Sequence, residues 1–163
     1  GQVLESTGGT PTWTTPVTGA TTQALRLRHT AALAVPLQSW TPLNAWDTEE
    51  IDTDGFHSTS VNSSQITVPT SGSYLMGAMV TFNTSGAGSV LCRIVEGTTV
   101  ATTVLVQGAM NATPDAFPAV NLTVLRNFAS SGVSIQVQVY SQATTNTISA
   151  TIPSPLFWMH RLS

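Results

Sequence analysis

The sequence predicts an all-β chain folded as a two-sheet jelly-roll sandwich, and three observations carry that expectation. Only 8% of its 163 residues are charged while 41% are hydrophobic, against about 25% charged in an average soluble protein, so most of the polar surface is neutral. That neutral surface comes from 27 Thr and 17 Ser, and Thr is β-branched, which favours a pleated, half-buried strand over a helix. From Ala24 onward, short alternating apolar runs recur every ~10 residues between Gly, Pro, Asn and Ser clusters, the spacing of a sandwich or barrel. No segment shows an amphipathic period of 3.6 residues.

Taken in chain order, residues 1–23 are rich in Gly, Thr and Pro, with scattered apolar residues (Val3, Leu4, Trp13, Val17). They read as an extended arm or linker, and residues 24–163 as the head domain. About four isolated apolar residues cannot offset ~1–2 kcal/mol of backbone entropy per residue, so the arm orders only against a neighbouring surface. Trp13 is its expected anchor, because a large aromatic buries much area for two rotatable bonds. Strands are expected near 24–30, 34–40, 64–68, 72–83, 89–96, 99–107, 117–126, 132–140 and 147–161, the last broken at Pro153 and Pro155. In 132–140, Val133, Ile135, Val137 and Val139 point one way and Ser134, Gln136, Gln138 and Tyr140 the other, which predicts one buried and one wet face.

Tyr74 to Phe82 is apolar on both alternating faces. Such a strand needs cover on both sides. The second sheet supplies one cover, and a neighbouring subunit is the simplest source of the other.

The net charge is −3, all five cations are Arg and Lys is absent. Displacing counterions from phosphates needs clustered cations, so no nucleic-acid partner is expected. Arg26 and Arg28 share one face of a strand and read as a solvated or interface pair. No apolar run approaches the ~20 residues that cross a bilayer, and the opening residues lack a charged-then-apolar signal pattern, so no membrane insertion is expected. Cys92 is the single cysteine; it alternates with Val90 and Ile94 and reads as a buried, inert thiol. No catalytic signature surrounds it or His29, His57 and His160.

Five of the eight carboxylates (Asp47, Glu49, Glu50, Asp52, Asp54) fall within eight residues. Asp52-Thr53-Asp54-Gly55 resembles part of a calcium loop but lacks the distal bidentate Glu, so the reading is structural, with Asp accepting backbone N–H bonds. No metal or cofactor is expected. Paired carboxylates for glycoside hydrolysis need a cleft between them, and no P-loop, Ser-centred elbow or zinc spacing occurs; the expectation is a binding protein and not an enzyme. Four Asn-x-Ser/Thr sites, at Asn62, Asn83, Asn111 and Asn121, read as chance in so Ser- and Thr-rich a chain. Trp13, Trp40, Trp46 and Trp158 would stack on sugars if exposed together, though core or interface is the commoner place for such rings.

The ordered set Val35-Pro36, Trp40-Thr41-Pro42-Leu43, Asp52-Thr53-Asp54-Gly55-Phe56, Ser64-Gln65-Ile66-Thr67-Val68-Pro69 and Ser71-Gly72-Ser73-Tyr74-Leu75 resembles the tumour-necrosis-factor/complement globular-head superfamily over about residues 24–163. Phe157-Trp158-Met159-His160-Arg161 departs from it in lacking a small residue between aromatics. The resemblance implies a homotrimer, with Tyr74, Met76, Ala78, Val80 and Phe82 facing the core and Leu75, Gly77, Met79 and Thr81 facing the threefold axis. Gly1 to Trp13 is similar to a short connector ahead of the terminal heads of bacteriophage fibre and virion proteins. Together these imply a virion surface protein, the trimeric head of a fibre attaching to a bacterial cell-surface glycan or protein. The alternatives are a capsid decoration protein pinned to other virion proteins by its arm, and a secreted complement-like ligand-binding head.

Overall fold

The computed structural model describes residues 3–5, 12–14, 22–44, 46–98, 103–142, 146–149 and 154–163. Its strands in chain order are β1 (Val3–Glu5), β2 (Thr12–Thr14), β3 (Ala24–Arg28), β4 (Leu33–Val35), β5 (Thr41–Pro42), β6 (Thr48–Asp52), β7 (Ile66–Thr67), β8 (Gly72–Thr84), β9 (Gly88–Glu96), β10 (Thr103–Ala112), β11 (Ala119–Phe128), β12 (Ser134–Ser141), β13 (Asn146–Ile148) and β14 (Leu156–Arg161). No helix occurs among the described residues.

The long strand β8 organises one sheet. It pairs with β11 from Gly72 to Thr81, with β14 from Tyr74 to Met79, and with β13 from Phe82 to Thr84. The sheet then runs through β3 to β6, while β13 carries β4. The second sheet runs β10–β9–β12, and both β5 and β7 add to β12. Every pairing between the named strands is antiparallel, and the isolated bridge between Leu37 and Ser141 is parallel. The sheets face each other as a jelly roll, and their inward alternate positions form one core: Leu25 and Leu27, Tyr74 to Phe82 in steps of two, Val90, Cys92 and Ile94, Ile135, Val137 and Val139, Phe157 and Met159. The alternation of period two therefore reports burial as expected.

The connection between β5 and β8 adds two large core residues. Trp46 packs its ring 6.2 Å from Phe157, and Phe56 meets Tyr74 edge-on at 6.2 Å. The Tyr74 hydroxyl lies 2.9 Å from the Thr70 carbonyl oxygen and 3.0 Å from Gln23 Oε1. That buried network ties the turn before β8 to the chain entering β3, so the phenol is satisfied inside the core.

Several boundaries differ from the sequence reading. β6 lies inside the acidic segment, where no strand is expected, because its pairing with β3 overrides the poor strand propensity of Glu and Asp. β10 (Thr103–Ala112) runs past the expected end at 107, and residues 99–102 of that expected strand lie outside the described residues. The strand expected over 34–40 is confined to β4, and the chain turns at Gln38, whose φ is 54°. Within the arm expected over 1–23, β1 and β2 form a hairpin with Leu4 opposite Trp13, so that stretch is a paired ribbon and not simply extended. The two strands pair only with each other. Pro153 lies outside the described residues, and β13 and β14 flank it.

Candidate functional site

Opposite faces of the two sheets, pointing away from the core, carry the side chains that the fold leaves available. On the β8 sheet, Leu75 stands between Leu125 of β11 and His160 of β14, Gly77 between Thr123 and Trp158, Met79 between Asn121 and Leu156, and Thr81 beside Ala119. The four positions named from the sequence thus share one outward row. They are not equivalent: Leu75 and Met79 are half-buried, whereas Gly77 and Thr81 are buried within the single chain. The reason at Gly77 is Trp158. A Cβ at residue 77 would sit 2.6 Å from the indole and 2.7 Å from the Leu122 carbonyl oxygen, so glycine is what lets the ring lie flat across β8. Phe157 and Met159 point into the core and Trp158 outward, which settles the faces of the last strand.

Beside the indole lies a depression of about 300 Å³ lined mainly by Leu25, Arg26, Ile51, Leu156, Trp158 and His160. Ile51 and Leu125 extend the apolar character of this face and are 44% and 63% exposed. At the rim Arg26 and Arg28 both pair with Glu50, the former at 2.6 Å. The two arginines are therefore a charge-paired unit that holds β6 to β3.

The acidic segment is spent on structure. Asp52 accepts backbone N–H bonds from Phe56 and His57 at 3.0 Å, and Glu49 lies 2.8 Å from His57 Nδ1, whose Nε2 faces the Ser63 carbonyl oxygen. Asp47 bonds the Thr30 amide and the Thr48 hydroxyl. Burial pushes its carboxyl up, but the bonds from Thr30 and Thr48, with His29 nearby, outweigh that and hold it below the usual carboxylate range. Among the described residues no three His, Cys, Asp or Glu side chains converge on one point. Excess calcium is accordingly expected to move the melting temperature little relative to excess chelator, and a rise of many degrees would overturn the structural reading of this segment. Cys92 is fully buried, and burial pushes its thiol well above the ordinary value, a poor setting for a nucleophile.

The outward face of the second sheet corrects an expectation. Gln136 and Gln138, read as wet, are 2% and 0% exposed. Arg93 of β9 lies opposite Gln138, and both its Nε and Nη2 donate to Gln138 Oε1, at 2.9 and 2.7 Å. Gln138 Nε2 donates in turn to Gln136 Oε1 at 3.2 Å. The Trp40 ring covers the guanidinium, 3.9 Å from its carbon to the ring centroid, and Tyr140 lies 5.2 Å from Trp40. Period-two alternation places these side chains outside the core but reveals neither that a ring from the segment before β5 closes over Arg93 nor that Gln136 meets Ser64. Trp40 and Trp158 stand on opposite sheets and Trp46 is in the core, so these three do not form one platform; the side chain of Trp13 lies outside the described residues.

Solved structures with the same arrangement include the globular domain of zebrafish complement 1qA, at TM-score 0.61 and 8% identity over 86% of this chain and 98% of that one. Murine APRIL at pH 5.0 gives TM-score 0.66 and 12% identity, over 86% and 99%. This chain has the fold of those heads. At such identities the likeness is one of fold. No family model matches the sequence and no curated protein is similar to it. Within this fold the β8 sheet presents the apolar row around Trp158, and the other sheet presents the covered arginine.

Proposed function

We propose that the chain is a non-enzymatic homotrimeric binding head, and that the head belongs to a bacteriophage fibre attaching to a bacterial surface. The observation that carries the trimer is the apolar outward row of the β8 sheet: Leu75, Met79, Leu156 and the Trp158 ring are half-buried in the single chain, with Ile51 and Leu125 exposed beside them. Val104 and Met110 on the edge strand β10 are 44% and 43% exposed but lie on opposite faces of it, Met110 opposite the inward Val90 and Val104 opposite the outward Val95 across a bulge. An apolar face that seats on a different surface of the next copy makes a head-to-tail contact, and such contacts close into a ring when the rotation permits. The superfamily resemblance supplies the threefold rotation. Leu75, Gly77, Met79 and Thr81 line the axis in this reading, Gly77 through the indole that covers it.

The similarity of Gly1 to Trp13 to phage connectors supports the virion setting, as does the Lys-free, Thr-rich composition. Attachment is then weak at each site and strengthened by several heads acting together. The β1–β2 hairpin, which pairs with neither sandwich sheet, favours a second reading as a capsid decoration protein held to the shell by its arm, with Trp13 as anchor.

One set of measurements separates these. The purified chain at micromolar concentration sediments as three chains and blocks adsorption of the parent particle to its host. Removing residues 1–22 leaves the trimer and its melting temperature almost unchanged while weakening attachment to the particle. A monomer overturns the reading of the assembly. Binding of the head to purified capsids without any block of adsorption moves the assignment to the decoration role, and a truncated chain that fails to fold places the arm in the core.

A further inference from the structure

We propose that the outward face of the second sheet, at Trp40, Arg93, Gln138 and Tyr140, binds an acidic saccharide through its carboxylate. The proposal rests on reading the chain as a binding head and narrows that reading to a ligand class and a place.

The argument starts from charge. Arg26 and Arg28 pair with Glu50 and Arg126 pairs with Glu96, while Arg161 donates to the carbonyl oxygens of Ser71 and Ser163 at the surface. Arg93 is 8% exposed, yet it meets no carboxylate among the described residues. Its acceptor is the neutral amide oxygen of Gln138, which itself is fully buried and committed to Gln136. A cation removed from water without a counter-charge is costly, and a negative group arriving at it recovers that cost. Gln138 takes Nε and Nη2 and not Nη1, and the residue keeps 8% of its surface open to solvent, which is the edge such a group would approach.

The surroundings select the rest of the ligand. Trp40 and Tyr140 are both half-buried, 5.2 Å apart and tilted by 41°, and they border the guanidinium with apolar ring surface. An acidic sugar carries both complements on one rigid ring: a carboxylate for the planar fork of arginine and a C–H face for an aromatic side chain. A flexible acidic peptide offers the carboxylate without the rigid apolar face, so the pair of rings favours the saccharide.

The test uses the full chain and the probes glucuronate, glucose and a short oligoglutamate, followed by calorimetry or amide chemical shifts. Glucuronate is expected to bind at millimolar strength, weakening with added salt, with shifts at Trp40, Arg93 and Tyr140, while glucose binds at least about tenfold more weakly. Gln138→Glu places a carboxylate on the Arg93 fork from within the chain. It is expected to leave the melting temperature equal or higher and to reduce glucuronate binding by about tenfold or more. Arg93→Met is expected to lose binding as well, and the Gln138→Glu result stands should that variant not fold. The proposal is overturned if glucuronate fails to bind, if it binds the Gln138→Glu chain as well as the parent, or if oligoglutamate binds and glucuronate does not. Light scattering on the same samples keeps this separate from the assembly: a trimer that ignores glucuronate sinks this site alone, whereas a monomer that binds it keeps the site and removes the trimer.

Discussion

In the proposed homotrimer, Leu75→Asp and Met79→Asp are each expected to convert three chains to one in sedimentation at micromolar concentration. Both residues lie on the outward row of β8 and are half-buried before any partner is added, so a subunit packed there completes their burial. A carboxylate at Met79 then enters a contact with no cation beside it, bordered by Asn121 and Leu156, whereas at Leu75 it is bordered by Leu125 and by His160, whose imidazole can hydrogen-bond it, so Met79→Asp carries the larger expected effect. An unpaired buried charge costs several kcal/mol even after relaxation, it recurs three times in a trimer, and each ~1.4 kcal/mol is tenfold in an association constant. In the single chain the same carboxylate retains contact with water, so the jelly roll itself is expected to keep its strand signal by circular dichroism. Thr67→Asp on the exposed edge of the other sheet is the control and is expected to change neither property, since exposed substitutions usually stay within about 0.5 kcal/mol. A Leu75→Asp chain that remains trimeric at full stability would remove this face from the assembly.

Gly77→Val is expected to lower stability by about 3 kcal/mol or more, at the upper end of the 1–3 kcal/mol usual for overpacking. In a domain of this size that corresponds to a melting temperature lower by roughly 6–12 °C. The magnitude follows from what a Cβ meets: the Trp158 indole at 2.6 Å and the Leu122 carbonyl oxygen at 2.7 Å. The indole can swing away, but the carbonyl belongs to the β8–β11 ladder, so relief there means moving a strand. Gly77→Ala in a Trp158→Ala background is accordingly expected to cost less than Gly77→Ala alone, with the remainder set by Leu122. A double-mutant cycle showing no coupling between positions 77 and 158 would contradict the packing described.

Much of the fold was legible because inward positions on a strand recur with period two. Ile135, Val137 and Val139 are all buried, as that period requires, while the buried set of β8 (Tyr74, Met76, Ala78, Val80 and Phe82) is the one that the superfamily resemblance implies, since both faces of that strand are apolar. β6 was not legible, since Thr48-Glu49-Glu50-Ile51-Asp52 has no alternation and forms a strand only because β3 offers it a free edge. The C-terminal end of β10 was not legible either, since the strand runs on to Ala112, past the expected end at 107.

By itself the sequence determined the all-β class, the buried state of Cys92 and the inward face of β12, because these depend on local propensity and on a two-residue period that a strand carries internally. Only the tertiary structure decided what lies on the outward faces. That Trp158 of β14 covers Gly77 of β8, that Trp40 closes over Arg93, and that Gln136 and Gln138 are dry depends on which strands become neighbours and on where a chain segment dozens of residues away comes to rest. Such contacts have no period along the chain, so the residues that distinguish the two surfaces emerge only when the sheets are assembled.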